Sequence, residues 1–328
     1  MPASLMFACV GGVISGLFHI SILMGGLGAV ILMYMSTLPL LLVGLGLGFR
    51  PVVIAGAIGS GLTTVIAGEW LGLSYLALNA VPVVLLVRQA LLARQSAVPA
   101  RQTGNTADQT SPTGNAIEWY PPGLLLCWLA GLGGLAILAA VLLAARQDGG
   151  LQGLIISVLV TMLRGTVAMA EGPAMEAAAT VAPMIPGMVA ISWLLMVIGN
   201  AILAQGALLR FHRNLRPSMR IADVVLPPWL TVALVIAIVV AVLADGAPRF
   251  VAVNIAIVAA LPIFFGGLAV VHALAERIPA RAVVLGAFYV VLMLFGWPAL
   301  IVVGLGIIEQ WVGLRRRFIR TGPDQEEV

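Results

Sequence analysis

From Met1 to Gly48 the chain carries no Asp, Glu, Lys or Arg. No water-soluble fold tolerates such a stretch at its surface, because there is no charge to cover it. It is too long for one membrane span, which needs about 20 apolar residues, and suits two. The Gly25-Gly26 pair marks the break, since glycine favours turns over helix. The first span is placed at Leu5–Met24 and the second at Leu27–Leu47. The rest of the chain is built alike. It is 61% hydrophobic and 9% charged over 328 residues, where soluble domains run near 25% charged. The expected fold class is all-α, a polytopic transmembrane helical bundle.

Arg50-Pro51 ends the second span, and proline opens the third, Pro51–Ala67. Glu69 precedes a fourth, Leu71 to about Leu92. Residues 94–121, rich in Gly, Ser, Thr, Gln, Asn and Pro, read as a flexible cytoplasmic loop. Trp119 and Tyr120 return the chain to the interface, and a fifth span covers Pro122–Ala145. Residues 148–183 hold Arg164, Glu171 and Glu176 among apolar residues, and read as an interfacial or re-entrant segment. Further spans are expected at Met184–Leu209, Pro227–Leu243 and Phe250–Leu274. The block Ala282–Val312 is divided by Gly296-Trp297-Pro298 into two short helices, and 314–328 is a cytoplasmic tail. The total is about ten membrane segments in one integral domain, 1–328.

All 17 basic residues are arginine. They stand at the ends of apolar runs, where positive charge marks the cytoplasmic side. With 148–183 outside the span count, Arg50, Arg88, Arg94, Arg210, Arg213, Arg216, Arg220 and the terminal cluster all fall on one side. The expected location is the bacterial inner membrane with both termini cytoplasmic. The apolar N-terminal stretch is read as a retained first span, since it lacks a basic n-region. No basic stripe with interleaved aromatics points to nucleic acid.

Ionisable and polar groups inside spans are the best site pointers, because hydrocarbon penalises them. His19, Asn200, Asn254 and His272 are therefore the candidate ligand-binding residues, with Asn79 and Gln205 as further in-span polar groups. Each also has a structural reading, an interhelical hydrogen bond. Glu69, Glu309, Arg315, Arg316 and Arg317 read as structural anchors at helix ends. His272 and Glu276 stand four residues apart and can touch. Pro262, followed by Gly266-Gly267, can kink or break its helix. Gly12 and Gly16 form a GxxxG pair for close helix approach. Cys9 and Cys127 read as buried small hydrophobes. No Walker A, HExxH or GxSxG motif and no Cys/His metal spacing occurs, so neither an enzyme, a cofactor nor a metal is expected.

The segments "LPIFFGGLAVVHALAERI" (261–278), "FGWPALIVVGLGIIEQWVGLRRRF" (295–318), "GLGLGFR" (44–50) and "GNAILAQGALLR" (199–210) resemble the YybS-like family of bacterial predicted membrane proteins. The resemblance extends in fold to the substrate-binding subunits of energy-coupling-factor transporters, which implies small-molecule binding within a helical bundle. The expectation is a small-molecule transporter or a transporter-like binding subunit in the lipid bilayer. The alternative is a non-catalytic scaffold with a membrane-protein partner, for example in envelope or division assembly.

Overall fold

The computed structural model describes residues 3–96, 116–276 and 278–315. Those residues are nearly all helical and fall into two compact units, Met1–Pro121 with Val197–Ser218, and Pro122–Met196 with Met219–Val328.

In the first unit α1 (Ala3–Ile20) runs into a short 3-10 turn, and α2 (Gly26–Tyr34) and α3 (Thr37–Leu47) together make the second hydrophobic stretch. Then follow α4 (Phe49–Ala67), α5 (Glu69–Tyr75) and α6 (Val81–Ala90). The break expected at the glycine pair is present: Gly25 and Gly26 take φ of +69° and +81°, a region costly for any residue with a Cβ. The α1–α4 interface shows why Gly12 and Gly16 are small. A Cβ on Gly12 would collide with the Ala55 carbonyl, and one on Gly16 would sit 3.1 Å from the Gly59 carbonyl. In lipid, packing of this closeness is what holds helices together.

Two helices expected to be continuous are interrupted. The stretch Gly26–Leu47 breaks at Met35-Ser36, where Met35 turns to φ −91° and ψ 1°. Proline has no N–H to give the Met35 carbonyl, so Leu38 N–H bonds it instead, in a tighter turn (3.0 Å). The stretch Glu69–Ala90 holds a π-helical turn, Leu76–Ala80, between α5 and α6. The expected loop 94–121 lies largely outside the described residues. Its described ends form a two-stranded antiparallel pair, β1 (Ala93–Ser96) and β2 (Ala116–Trp119), with Arg94 Nε 2.7 Å from Glu118 Oε2.

In the second unit α12 (Gly246–Ala275) is central. Around it pack α7 (Pro122–Ala144), α11 (Pro228–Leu243) and α14 (Pro298–Val312), with α13 (Arg281–Phe295) beside α12 and α14. Ile263, Leu230, Leu234 and Cys127 belong to its core. Helix α12 runs through Pro262 unbroken. One missing N–H removes one bond, and close packing against α14 supports the rest, with no room for a Cβ at Gly267 or Gly306. Residues 148–183 form two helices, α8 (Gly150–Thr166) and α9 (Glu171–Val181), packed through Val160, Ala174 and Ala178. Arg164 and Glu171 pair at their exposed junction (3.3 Å). Helix α10 (Ile185–Arg210) begins in this unit and passes into the first at Val197.

Seven helical stretches among the described residues are long and apolar enough to cross a membrane, and four shorter apolar helices accompany them. Large apolar side chains face outward throughout, among them Val65 at 84% exposure and Met293 at 89%. Water would penalise such a surface, whereas acyl chains cover it at no cost. The molecule is a polytopic all-α membrane protein.

Candidate functional site

The two interrupted helices of the first unit meet at a buried polar cluster. Helix α1 contributes Ser15 and His19, the α2–α3 break contributes Ser36 and Thr37, and α5 with its π turn contributes Ser74, Tyr75 and Asn79. The bonds form a directed chain. Tyr75 donates its hydroxyl to Ser15 Oγ (2.7 Å), and Ser15 donates to the Ser36 carbonyl (2.6 Å). Ser36 Oγ donates to Asn79 Oδ1 (2.6 Å). The Asn79 amide can only donate from Nδ2, so His19 Nδ1, at 3.2 Å, accepts. His19 is then the neutral tautomer with its proton on Nε2, which donates to Ser74 Oγ at 3.1 Å. Ser74 in turn donates its hydroxyl to the Leu71 carbonyl (2.8 Å).

Spacing explains the placement. Tyr75 and Asn79 stand four residues apart, across the π turn Leu76–Ala80, so both fall on the helix face that meets α1. Tyr75 is fully buried and stands edge-on to the His19 ring, centroids 5.4 Å apart. Its hydroxyl fills the space that a side chain at Gly59 would need. The cluster is sealed at Tyr75 and only half-buried at Ser74, within two turns of exposed Glu69. From the other side of the break, Asn200 of α10 donates to the Tyr34 carbonyl (2.7 Å) and to Thr37 Oγ1 (2.8 Å). Asn200 thereby ties α10 to both flanks of the break, the end of α2 and the start of α3.

Of the other candidates, Asn254, His272, Glu309 and Arg315 belong to the second unit and Glu69 to the first. Asn254 accepts the Gly187 N–H (2.6 Å) and donates to the Pro183 and Phe250 carbonyls, holding the start of α10 on α12. His272 turns to the Leu268 carbonyl (2.9 Å) and to the Tyr289 hydroxyl (3.4 Å). Glu309 takes the Arg315 side chain (2.8 Å) and backbone N–H (3.1 Å), and Arg315 also donates to the Ala222 carbonyl. Glu69 opens α5, where a carboxylate suits the positive helix end. Arg316 and Arg317 lie outside the described residues. Thus His19 and Asn200 converge on the same break, while Asn254 and His272 bond partners within the second unit. Ser15, Ser36 and Tyr75 were not among the expected site residues, since hydroxyl side chains are common in membrane helices. Pro39 two residues after Ser36-Thr37 was the available signal for the break. No group of three or more His, Cys, Asp or Glu side chains among the described residues could hold a metal ion.

No curated protein and no solved structure matches the chain. Residues 162–309, less than half of the 328, match the model of a family described as predicted membrane protein (DUF2232), so over that region the chain is similar to a family of uncharacterised membrane proteins.

Proposed function

We propose that the protein is a non-catalytic, transporter-like membrane protein that takes a small polar molecule at the His19–Asn79–Ser36 cluster. One observation carries this reading: two interrupted hydrophobic helices meet at a single polar cluster among apolar helices. Helix breaks at this depth are the device by which transporter folds present backbone and side-chain groups to a solute. The groups that now bond one another, Ser36, Asn79, His19 and Ser74, supply both donors and acceptors that an uncharged polar solute can take over. Among the described residues of this unit the carboxylates are Glu69 and Glu118, and neither makes part of the cluster's chain of bonds.

The same unit supports an orientation. Arg50 at the start of α4 and Arg88 at the end of α6 mark one end, and Glu69 stands at the other. The excess of positive charge on the cytoplasmic side puts the N-terminus of α1 inside, because α1 and α4 run parallel through Gly12–Ala55 and Gly16–Gly59. The Ser74 margin then opens toward the outer face of a bacterial inner membrane. This reading accords with the YybS-like resemblance and with a distant relation to substrate-binding subunits of energy-coupling-factor transporters.

The test is thermal unfolding of the purified full chain against fractions of small polar metabolites. A fraction that raises the midpoint of the natural protein but not of Asn79→Ala or His19→Ala supports the site. Equal behaviour of all three toward every fraction, with a co-purifying protein partner, favours a scaffold instead.

A further inference from the structure

We infer that the arginine-bearing end of the first unit is a docking surface for the headgroups of anionic phospholipids. Arg50, Arg88, Arg94, Arg210 and Arg213 are all exposed there, at the ends of α4, α6 and α10 and on β1. They are held on one platform. Leu215 N–H bonds the Leu45 carbonyl at the end of α3 (3.2 Å), and Arg213 N–H bonds the Leu208 carbonyl of α10 (2.8 Å).

The staple beneath is Arg216, 6% exposed. It donates to the Ala90 carbonyl at the end of α6 (2.9 Å) and to the Tyr120 carbonyl after β2 (2.7 Å). Its guanidinium lies 5.9 Å from the Trp119 ring centre, and its own carbonyl accepts from Gln205 (2.7 Å) and Asn214 (2.9 Å). A buried guanidinium is thus spent on joining three chain segments, so the surface arginines stand on an ordered base. Burial lowers its pKa from the ordinary arginine value, which still leaves it charged at neutral pH.

Charge and position together select the occupant. Glu118 is the described carboxylate at this end, and Arg94 already engages it, while Glu69 lies at the opposite end of α4. The excess guanidinium charge calls for anions, and the planar fork suits a phosphate. Phe49, Leu92, Phe211 and Leu215 are exposed alongside the arginines. Apolar side chains at the same level as the cations fit a bilayer's edge, with acyl chain below and phosphate above; a soluble polyanion would leave them in water. This surface is separate from the His19 cluster, so either reading can fail without the other.

The experiment embeds the full chain in nanodiscs of mixed phosphatidylglycerol and phosphatidylcholine, then counts retained lipids by native mass spectrometry. The natural protein is expected to retain phosphatidylglycerol above its share in the disc. The triple substitution Arg88→Gln, Arg210→Gln, Arg213→Gln is expected to cut that enrichment on the order of tenfold, as for the loss of several juxtamembrane charges. All three side chains are exposed, so an unchanged melting midpoint verifies folding, and Arg146→Gln in the other unit should keep the enrichment. Lipid retained in the bulk ratio by the natural protein overturns the proposal. So does equal enrichment in the triple variant, or displacement of the lipid by inorganic phosphate, which would mark a free-phosphate site.

Discussion

A single missing methyl decides how closely α1 and α4 approach. Gly12 has the Ala55 backbone where its Cβ would be, whereas Gly61 on the same α4 has open space. Gly12→Ala must push two backbones apart and should destabilise by about 1–3 kcal/mol, the usual cost of overpacking. Gly61→Ala should leave the melting midpoint in detergent unchanged or slightly raised, since alanine is the better helix former. Equal losses in both would show that α1 does not rest on α4 in this way. At this scale the sequence was partly legible. His19 and Asn200 stood out because polar groups in apolar runs must find partners. Asn79 was visible as a polar residue, but its bond to His19 was not, because that bond depends on how two helices 60 residues apart in the chain pack together. Ser15 and Ser36 were hidden for a different reason: a Ser or Thr hydroxyl in a membrane helix usually bonds its own backbone, as Thr63 does with Gly59.

The elements were legible where glycine and proline punctuate them. Gly25-Gly26, Arg50-Pro51 and Gly296-Trp297-Pro298 all fall at helix boundaries. Pro262 was an equivocal sign, since proline inside a membrane helix can be absorbed by its neighbours, and α12 is continuous. Pro39 worked the opposite way, because its missing N–H leaves the Met35 carbonyl to Leu38 in a tighter turn. The pairing of 93–96 with 116–119 could not be foreseen from residues of such low apolar content. The break at Met35-Ser36 is fastened by Asn200 on one flank and Ser15 on the other. Asn200→Ala removes two interhelical bonds, each worth roughly 0.6 kcal/mol in membrane proteins. Amide hydrogen exchange across 33–38 should then quicken by about sevenfold, since 1.4 kcal/mol is a factor of ten. Exchange that is unchanged in this window would mean that the turn holds itself.

At the scale of the molecule, hydrophobic pattern and arginine placement carry nearly all the information. The ten expected segments correspond to the seven long stretches and to three of the four short apolar helices, leaving α8 outside the count. The orientation drawn from the arginines has a direct check. In a background without Cys9 and Cys127, Arg94→Cys should react with an impermeant maleimide only after the membrane is opened. Glu69→Cys should react in intact spheroplasts. The reverse pattern would invert the first unit and place the His19 cluster toward the cytoplasm. What hydrophobicity could not reveal is that the polar residues of α1, α3, α5 and α10 share one location, because pairing across 163 or 60 residues of chain depends on packing.

The claim that joins these scales is that the cluster at the interrupted helices holds a solute. Native mass spectrometry of the full chain, released gently from its membrane, tests it most directly. The account predicts a small polar molecule bound one to one in the natural protein and in Gly61→Ala, and absent from His19→Ala and Asn79→Ala that still melt cooperatively. A natural protein carrying lipid alone, with uptake of polar metabolites unchanged by either substitution, would contradict it and leave the cluster as packing between helices.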